Sequence, residues 1–178
     1  PRGTFQPEVQ LVAPQQRQMF SLGGSYRLGV KGKVFSEVSL SRWDQNRFSE
    51  RDGEDDYGYA LRNGVEQTFT VGRDSTKSWE VRTELNHEYL SNSFEILKPF
   101  RNQEFTRDWN LQGLAKNEEH LANGLIAISK GAKFDLTYKY GGFFRTNVYE
   151  GHKHVIQTHL QTGGLTVTGQ MDRLQSSS

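Results

Sequence analysis

The stretch SWEVRTELNHEYL, residues 78–90, decides the fold because its apolar and charged side chains alternate. Alternate residues of a β-strand point to opposite faces of its sheet, so the stretch predicts a strand with one apolar and one charged face. The apolar side carries Trp79, Val81, Thr83, Leu85, His87 and Tyr89, and the charged side carries Glu80, Arg82, Glu84, Asn86 and Glu88. Function depends on what the apolar face contacts, a protein core or lipid.

Composition excludes several classes of protein. The 178 residues suit one domain, and 22 Lys and Arg against 21 Asp and Glu give no bulk charge that would indicate a nucleic-acid partner. The chain has no cysteine, which excludes disulfides, thiolate metal sites and cysteine nucleophiles. It also lacks an apolar run of about 18 residues, so it predicts no transmembrane helix.

The alternation recurs along most of the chain. Further period-two segments cover residues 18–30, 33–42, 57–71, 134–140, 152–160 and 165–174, and residues 121–129 form a segment that is apolar on both faces. With residues 78–90 they predict about eight strands and no amphipathic helix. Residues 95–119 are expected to form a long irregular loop with at most a short strand or helical turn.

Residues 1–17 carry three of the four prolines and no periodicity. They predict an extended lead-in or linker, followed by one β-domain over 18–178. The chain opens PRGTFQ, without an initiator Met or a leader, so we expect a piece of a longer precursor or a processed product.

Short and long connections alternate between the predicted strands. Tight turns are expected near Gly32, Asp74, Gly131 and Gly163, and longer loops over 43–57, 91–120 and 141–151. In an up-and-down meander, alternate connections lie at the same end of the sheet. The sequence therefore predicts an all-β antiparallel meander, a β-barrel or barrel segment, with its long loops at one end.

This loop pattern is typical of bacterial outer-membrane barrels, and residues 79–89 have the length of a membrane-spanning strand. Aromatic side chains at the margins of the apolar face would sit at the membrane interface. The candidates are Tyr57, Tyr59, Phe69, Trp79 and Tyr89.

A soluble up-and-down barrel that binds an apolar or amphipathic small ligand is the alternative. Asn63 and Gln67 lie in mid-strand on the apolar side, with His87 nearer its end. An unpaired polar group in hydrocarbon is costly, whereas in a soluble barrel these side chains could reach a ligand or one another. The alternation alone leaves both interpretations open.

Two segments carry a resemblance to a known group of proteins. They are LSRWDQNRFSERDGEDDYGYAL, residues 40–61, and FEILKPFRNQEFTRDWNL, residues 94–111. Both resemble repeated signatures of large uncharacterised all-β cell-envelope proteins of Bacteroidota, and the resemblance covers roughly residues 14–111. The matching positions are Asp44, Asn46, Phe48 and Ser49, then Gly58, Tyr59 and Ala60, then Arg101, Glu104, Phe105, Arg107, Asp108 and Trp109.

The resemblance implies a non-enzymatic protein that is all or part of an outer-membrane β-barrel, with a structural or transport-associated role. It implies the outer membrane or cell surface of a Gram-negative bacterium, with the lipid bilayer and other envelope proteins as partners. One departure is that the chain ends at Ser178 rather than at the aromatic residue that usually closes such barrels.

The element RNQEFTRDWNL combines ion-pairing and aromatic side chains within the longest loop. We expect these residues to anchor the loop to the rim of the barrel through Arg–carboxylate pairs and a packed indole. The candidates are Arg101, Glu104, Phe105, Arg107, Asp108 and Trp109. The alternative is a carbohydrate-binding surface module, in which the indole stacks on a sugar.

Metal binding and catalysis find little support. The acidic loop holds Glu50, Asp52, Glu54, Asp55 and Asp56 around Gly53. Its spacing is not that of an EF-hand, so we predict a solvated loop and no metal. His152 and His154 share a strand face, but no third ligand is evident beyond His120 or Glu150. No nucleophile elbow, HExxH motif or phosphate cradle occurs, so we predict no enzyme and no cofactor.

Overall fold

A computed structural model describes residues 14–46, 56–72, 78–97 and 101–178. The described chain forms eight antiparallel strands in one sheet, with each strand beside its neighbours in sequence. The strands are β1 (Gln16–Leu28), β2 (Gly32–Asp44), β3 (Tyr57–Val71), β4 (Trp79–Leu90), β5 (Glu119–Lys130), β6 (Phe134–Arg145), β7 (Tyr149–Thr162) and β8 (Leu165–Ser177). This confirms the predicted all-β meander with its long loops at one end.

The described tight turns and the described part of the β4–β5 connection follow the sequence prediction. The turn predicted near Asp74 and most of the loop predicted over 43–57 lie outside the described residues. Gly29, Gly131 and Gly163 have φ values of 66°, 55° and 57°, the left-handed region that glycine enters without a steric penalty. The described part of the connection between β4 and β5 contains one helical turn, α1 (Phe105–Asp108). Among the described residues, no helix is long and apolar enough to cross a membrane.

The connection between β6 and β7 differs from the predicted loop over 141–151, which is wrong. β6 continues to Arg145 and β7 starts at Tyr149, so only residues 146–148 connect them. Gly141 and Gly142, which suggested a loop, lie inside β6. A Cβ on Gly141 would lie 3.1 Å from Cη2 of Trp109, so this glycine makes room for an indole. At one edge of the sheet, β1 begins at Gln16, two residues before the predicted boundary, and residues 1–13 of the predicted lead-in lie outside the described residues.

The strands are staggered across the sheet. We call a row of residues that are paired from strand to strand across the sheet a rung. The rung of Leu28, the last residue of β1, reaches β8 at Met171, six positions after the start of that strand. At the opposite end, Ser177 shares a rung with Leu22, six positions from the start of β1. The shift is about 20 Å along the strands over about 34 Å of sheet width, a slope of about 30°. Closed barrels have such a stagger, with strand tilts of about 35–45°.

The sheet is open, because β1 and β8 form its two edges. Its architecture therefore matches a segment of a barrel wall. The buried hydrophobic cluster lies to one side of this wall, where the β4–β5 connection folds back over the strands.

Candidate functional site

The two faces of the sheet have opposite chemistry. We call the face that carries Trp79 the apolar face and the other the polar face. Every strand presents at least one exposed large apolar side chain on the apolar face. One from each strand in turn is Phe20, Val38, Tyr59, Leu85, Ile126, Tyr138, Ile156 and Met171. A continuous apolar patch of this width is typical of a surface that contacts another apolar phase.

The apolar band runs obliquely across the strands. In β1 it extends over Phe20–Leu28 and in β8 over Leu165–Met171, and each range reaches the tight-turn end of its strand. One rung passes from inside the apolar band to outside it. It starts at Tyr26 in β1 and ends at His154 in β7 and Arg173 in β8. The band thus follows the stagger of the strand ends rather than the rungs. An apolar band at a constant height along the axis of a barrel would cross its tilted strands in this way.

All five predicted interface aromatics lie on the apolar face. Tyr57, Tyr59 and Tyr89 are near the long-loop end, and the rings of Tyr59 and Tyr89 are 5.5 Å apart between centroids. Phe69 and Trp79 are near the tight turns. There the indole of Trp79 meets Phe134 edge to face at 5.6 Å. Aromatic rings therefore flank the band on both sides.

The three polar side chains predicted on the apolar face, Asn63, Gln67 and His87, bond to other side chains or to the backbone. Asn63 accepts a hydrogen bond of 2.7 Å from the hydroxyl of Ser36 on the neighbouring strand. The Nε2 atom of His87 is 3.2 Å from Nδ1 of His120. Gln67 donates its amide to the backbone oxygen of Thr68 at 3.1 Å. Pairing of this kind lowers the cost of placing a polar group in an apolar surrounding.

The long connection lies on the polar face. We call residues 91–97 and 101–118 the covering segment. At β2, the Ser41 hydroxyl accepts a hydrogen bond of 3.0 Å from the backbone N–H of Glu95. At β3, a Cβ on Gly58 would lie 2.3 Å from the backbone of Phe94. The segment also packs on β5, β6 and β7, so it covers most of the width of the sheet.

Trp109 is the centre of this covering contact. Its ring is 6% exposed and lies 5.6 Å from the ring of Phe143, which is 0% exposed. Leu121 and Tyr149 complete the cluster from the neighbouring strands. The indole is therefore enclosed by protein.

Arg101 reaches across the covering segment to the sheet. Its Nη1 atom donates to Glu119 at 2.6 Å, and its Nε atom lies 3.7 Å from Glu88. Glu119 also accepts from Arg145 at 2.7 Å. Arg101, Glu119 and Arg145 are each largely buried. The guanidinium also lies over Phe105, 4.4 Å from the ring centroid. This buried group joins the segment to β4, β5 and β6.

The remaining anchor candidates form an exposed group on α1. Arg107 pairs with Glu104 at 2.6 Å and with Asp108 at 3.5 Å, and its side chain is 68% exposed. Asp108 also lies 4.0 Å from Lys153 of β7. The six candidates thus divide into a buried group around Arg101, Phe105 and Trp109 and a solvated group. The sequence could not identify Glu119 and Arg145 as partners, because they lie beyond the motif.

Of the acidic metal-ligand candidates, the structure describes Asp56. Glu50, Asp52, Glu54 and Asp55 lie outside the described residues, and Asp56 pairs with Arg42 at 3.8 Å. The described part of the chain contains no group of three side chains able to hold a metal ion. The Nδ1 atoms of His152 and His154 instead lie 2.8 Å from the hydroxyl oxygens of Tyr140 and Tyr138, respectively.

No family model, curated protein or solved structure matches this chain.

Proposed function

We propose that the chain is all or part of the wall of an outer-membrane β-barrel, with its apolar face toward lipid and its polar face toward a water-filled interior. One observation carries the proposal. The apolar face is exposed on all eight strands, while the chain's own covering segment lies on the polar face. In a soluble barrel the apolar face would be the one that is covered.

The height of the apolar band supports this orientation. Trp79 and Tyr89 lie ten positions apart at its two margins, about 34 Å along an extended strand. A tilt of about 40° reduces this to about 26 Å, close to the apolar band of about 25 Å that outer-membrane barrels present to lipid. The aromatic pairs lie at both margins of the apolar band, where outer-membrane barrels have their interfacial girdles of aromatic residues.

The polar face is suited to a wet interior. Its strands carry paired charged side chains, such as the half-exposed Arg62, which lies 3.6 Å from Glu88 on the neighbouring strand. Arg82 pairs with Glu84 at 2.9 Å on the same face. The covering segment lies on this face and would constrict the interior at the long-loop end. A structural or transport-associated role follows, and the proposal assigns no catalytic activity.

The resemblance of residues 40–61 and 94–111 to envelope proteins of Bacteroidota supports the same location. The proposal accordingly places the chain in the outer membrane or at the cell surface of a Gram-negative bacterium. Its partners would be the lipid bilayer and other envelope proteins.

Refolding with and without detergent tests the proposal. We expect the denatured chain to regain strand structure and a cooperative melt only when a micelle or bilayer covers the apolar face. In plain buffer it should aggregate. A monodisperse protein with a sharp melt in plain buffer would overturn the proposal and favour a soluble barrel.

A further inference from the structure

The two edges of the sheet have unpaired backbone groups. Within the described residues, neither β1 nor β8 has a second neighbouring strand, and both are exposed along nearly their whole length. An open edge exposes N–H and C=O groups that water satisfies but hydrocarbon cannot. If the apolar face contacts lipid, each edge needs another strand.

Closure of the sheet on itself would leave too little interior space. The interior of an eight-stranded barrel is just wide enough for its own side chains to fill. Here the covering segment adds a layer of backbone over the polar face, from Ser41 of β2 to Tyr149 of β7. Trp109 extends down to Gly141, four residues inside the end of β6. The wall therefore fits a wider barrel.

The two edges complement each other. Since β1 and β8 run in opposite directions, β8 of one copy can pair with β1 of another while the long loops stay at the same end. When Leu28 of one copy is placed opposite Leu165 of the other, the stagger of the strands continues across the junction. The apolar faces of the two copies then lie on the same side, and so do their polar faces. The matched pairs on the apolar face include Tyr26 with Val167, Gly24 with Gly169 and Leu22 with Met171. On the polar face, Met19 comes opposite Leu174, and Ser25 opposite Thr168.

We propose that two copies of this chain pair edge to edge, β8 to β1 at both junctions, and close one barrel from their sixteen described strands. The proposal rests on the proposed function, because lipid is what makes an open edge costly. Barrels of about 16–18 strands leave an aqueous interior. That interior has room for two covering segments, one from each copy.

Disulfide trapping tests this pairing directly, because the natural chain has no cysteine. Ser25→Cys and Thr168→Cys are made as separate variants, mixed while unfolded, refolded in detergent and oxidised. Both positions are exposed and on the polar face, where thiols are in water. We expect a covalent dimer from the mixture and none from either variant alone.

Ser21→Cys mixed with Thr168→Cys is the matched control. Ser21 lies four positions from Ser25, which places it about 13 Å along the strand from the position facing Thr168. A disulfide needs Cα atoms within about 7 Å, so this mixture should give no dimer.

Three results would overturn the pairing. One is an internal disulfide in a monomeric S25C/T168C double variant, which would indicate closure within one chain. Another is the absence of a cross-link in protein that is folded in detergent. The third is an equal yield from the control mixture. A cross-linked dimer that folds without detergent would support the edge-to-edge pairing but overturn the proposed membrane function. Failure of the pairing can therefore be distinguished from failure of the proposed function.

Discussion

The indole ring of Trp109 lies 5.6 Å from the ring of Phe143, and together they hold the β4–β5 connection against the polar face of the sheet. Gly141 makes this contact possible, since a Cβ there would lie 3.1 Å from the indole. The longest connection is therefore part of the folded structure.

Trp109→Ala should loosen the covering segment. Removing a buried aromatic side chain costs about 3–5 kcal/mol. Asp108→Ala is the control, because its ion pairs are partly exposed and such pairs are worth less than about 1 kcal/mol. Limited trypsin digestion at Arg107 should be much faster in the tryptophan variant only. Rapid digestion of the wild type would contradict the anchoring.

Gly141→Ala should destabilise the protein by forcing the indole away from β6. Overfilling a packed site costs about 1–3 kcal/mol. Gly164→Ala is the control, since nothing lies within 4 Å of the added methyl group and the backbone there is not in the left-handed region. Unfolding midpoints in detergent should fall for the first variant and stay near wild type for the second. Equal midpoints would show that the glycine does not accommodate Trp109.

Glu119→Gln should be far more costly than Glu104→Gln, although each carboxylate lies 2.6 Å from an arginine. Glu119 is buried between Arg101 and Arg145, and removing one partner of a buried pair costs about 3–5 kcal/mol. Glu104 pairs with the exposed Arg107, where the loss should be below about 1 kcal/mol. Denaturant unfolding of both variants measures the difference. Similar losses would mean that the Glu119 group is solvated.

Leu85→Lys should prevent stable insertion into a bilayer, whereas Leu125→Lys should be tolerated. Leu85 is 62% exposed on the apolar face, and a lysine facing lipid at mid-membrane costs about 2–4 kcal/mol. Leu125 is on the polar face, opposite Glu84, which can pair with the new lysine. The folded fraction recovered from vesicles measures both effects. If Leu125→Lys were the damaging change, the two faces would have been assigned the wrong way round.

The local alternation of apolar and polar residues is enough to predict the strands and the two faces, because side chains along a strand alternate between the faces with a period of two. Residues 57–71 were bounded correctly for this reason. The function of Gly141 was not predictable, since a Gly-Gly pair in isolation indicates a turn. Its true partner, Trp109, lies 32 positions away and is adjacent only in the folded chain. The buried partners of Arg101 were missed for the same reason, because they lie in β4 and β5.

Quenching of tryptophan fluorescence by lipids with brominated acyl chains tests the central claim most directly. The chain has three tryptophans. Only Trp79 lies on the apolar face, because Trp43 is on the polar face and Trp109 is buried beside Phe143. We predict that protein refolded into brominated vesicles is quenched, that Trp79→Phe removes the quenched emission, and that Trp43→Phe retains it. Protein that associates with these vesicles while Trp79 stays unquenched would contradict a lipid-facing apolar surface.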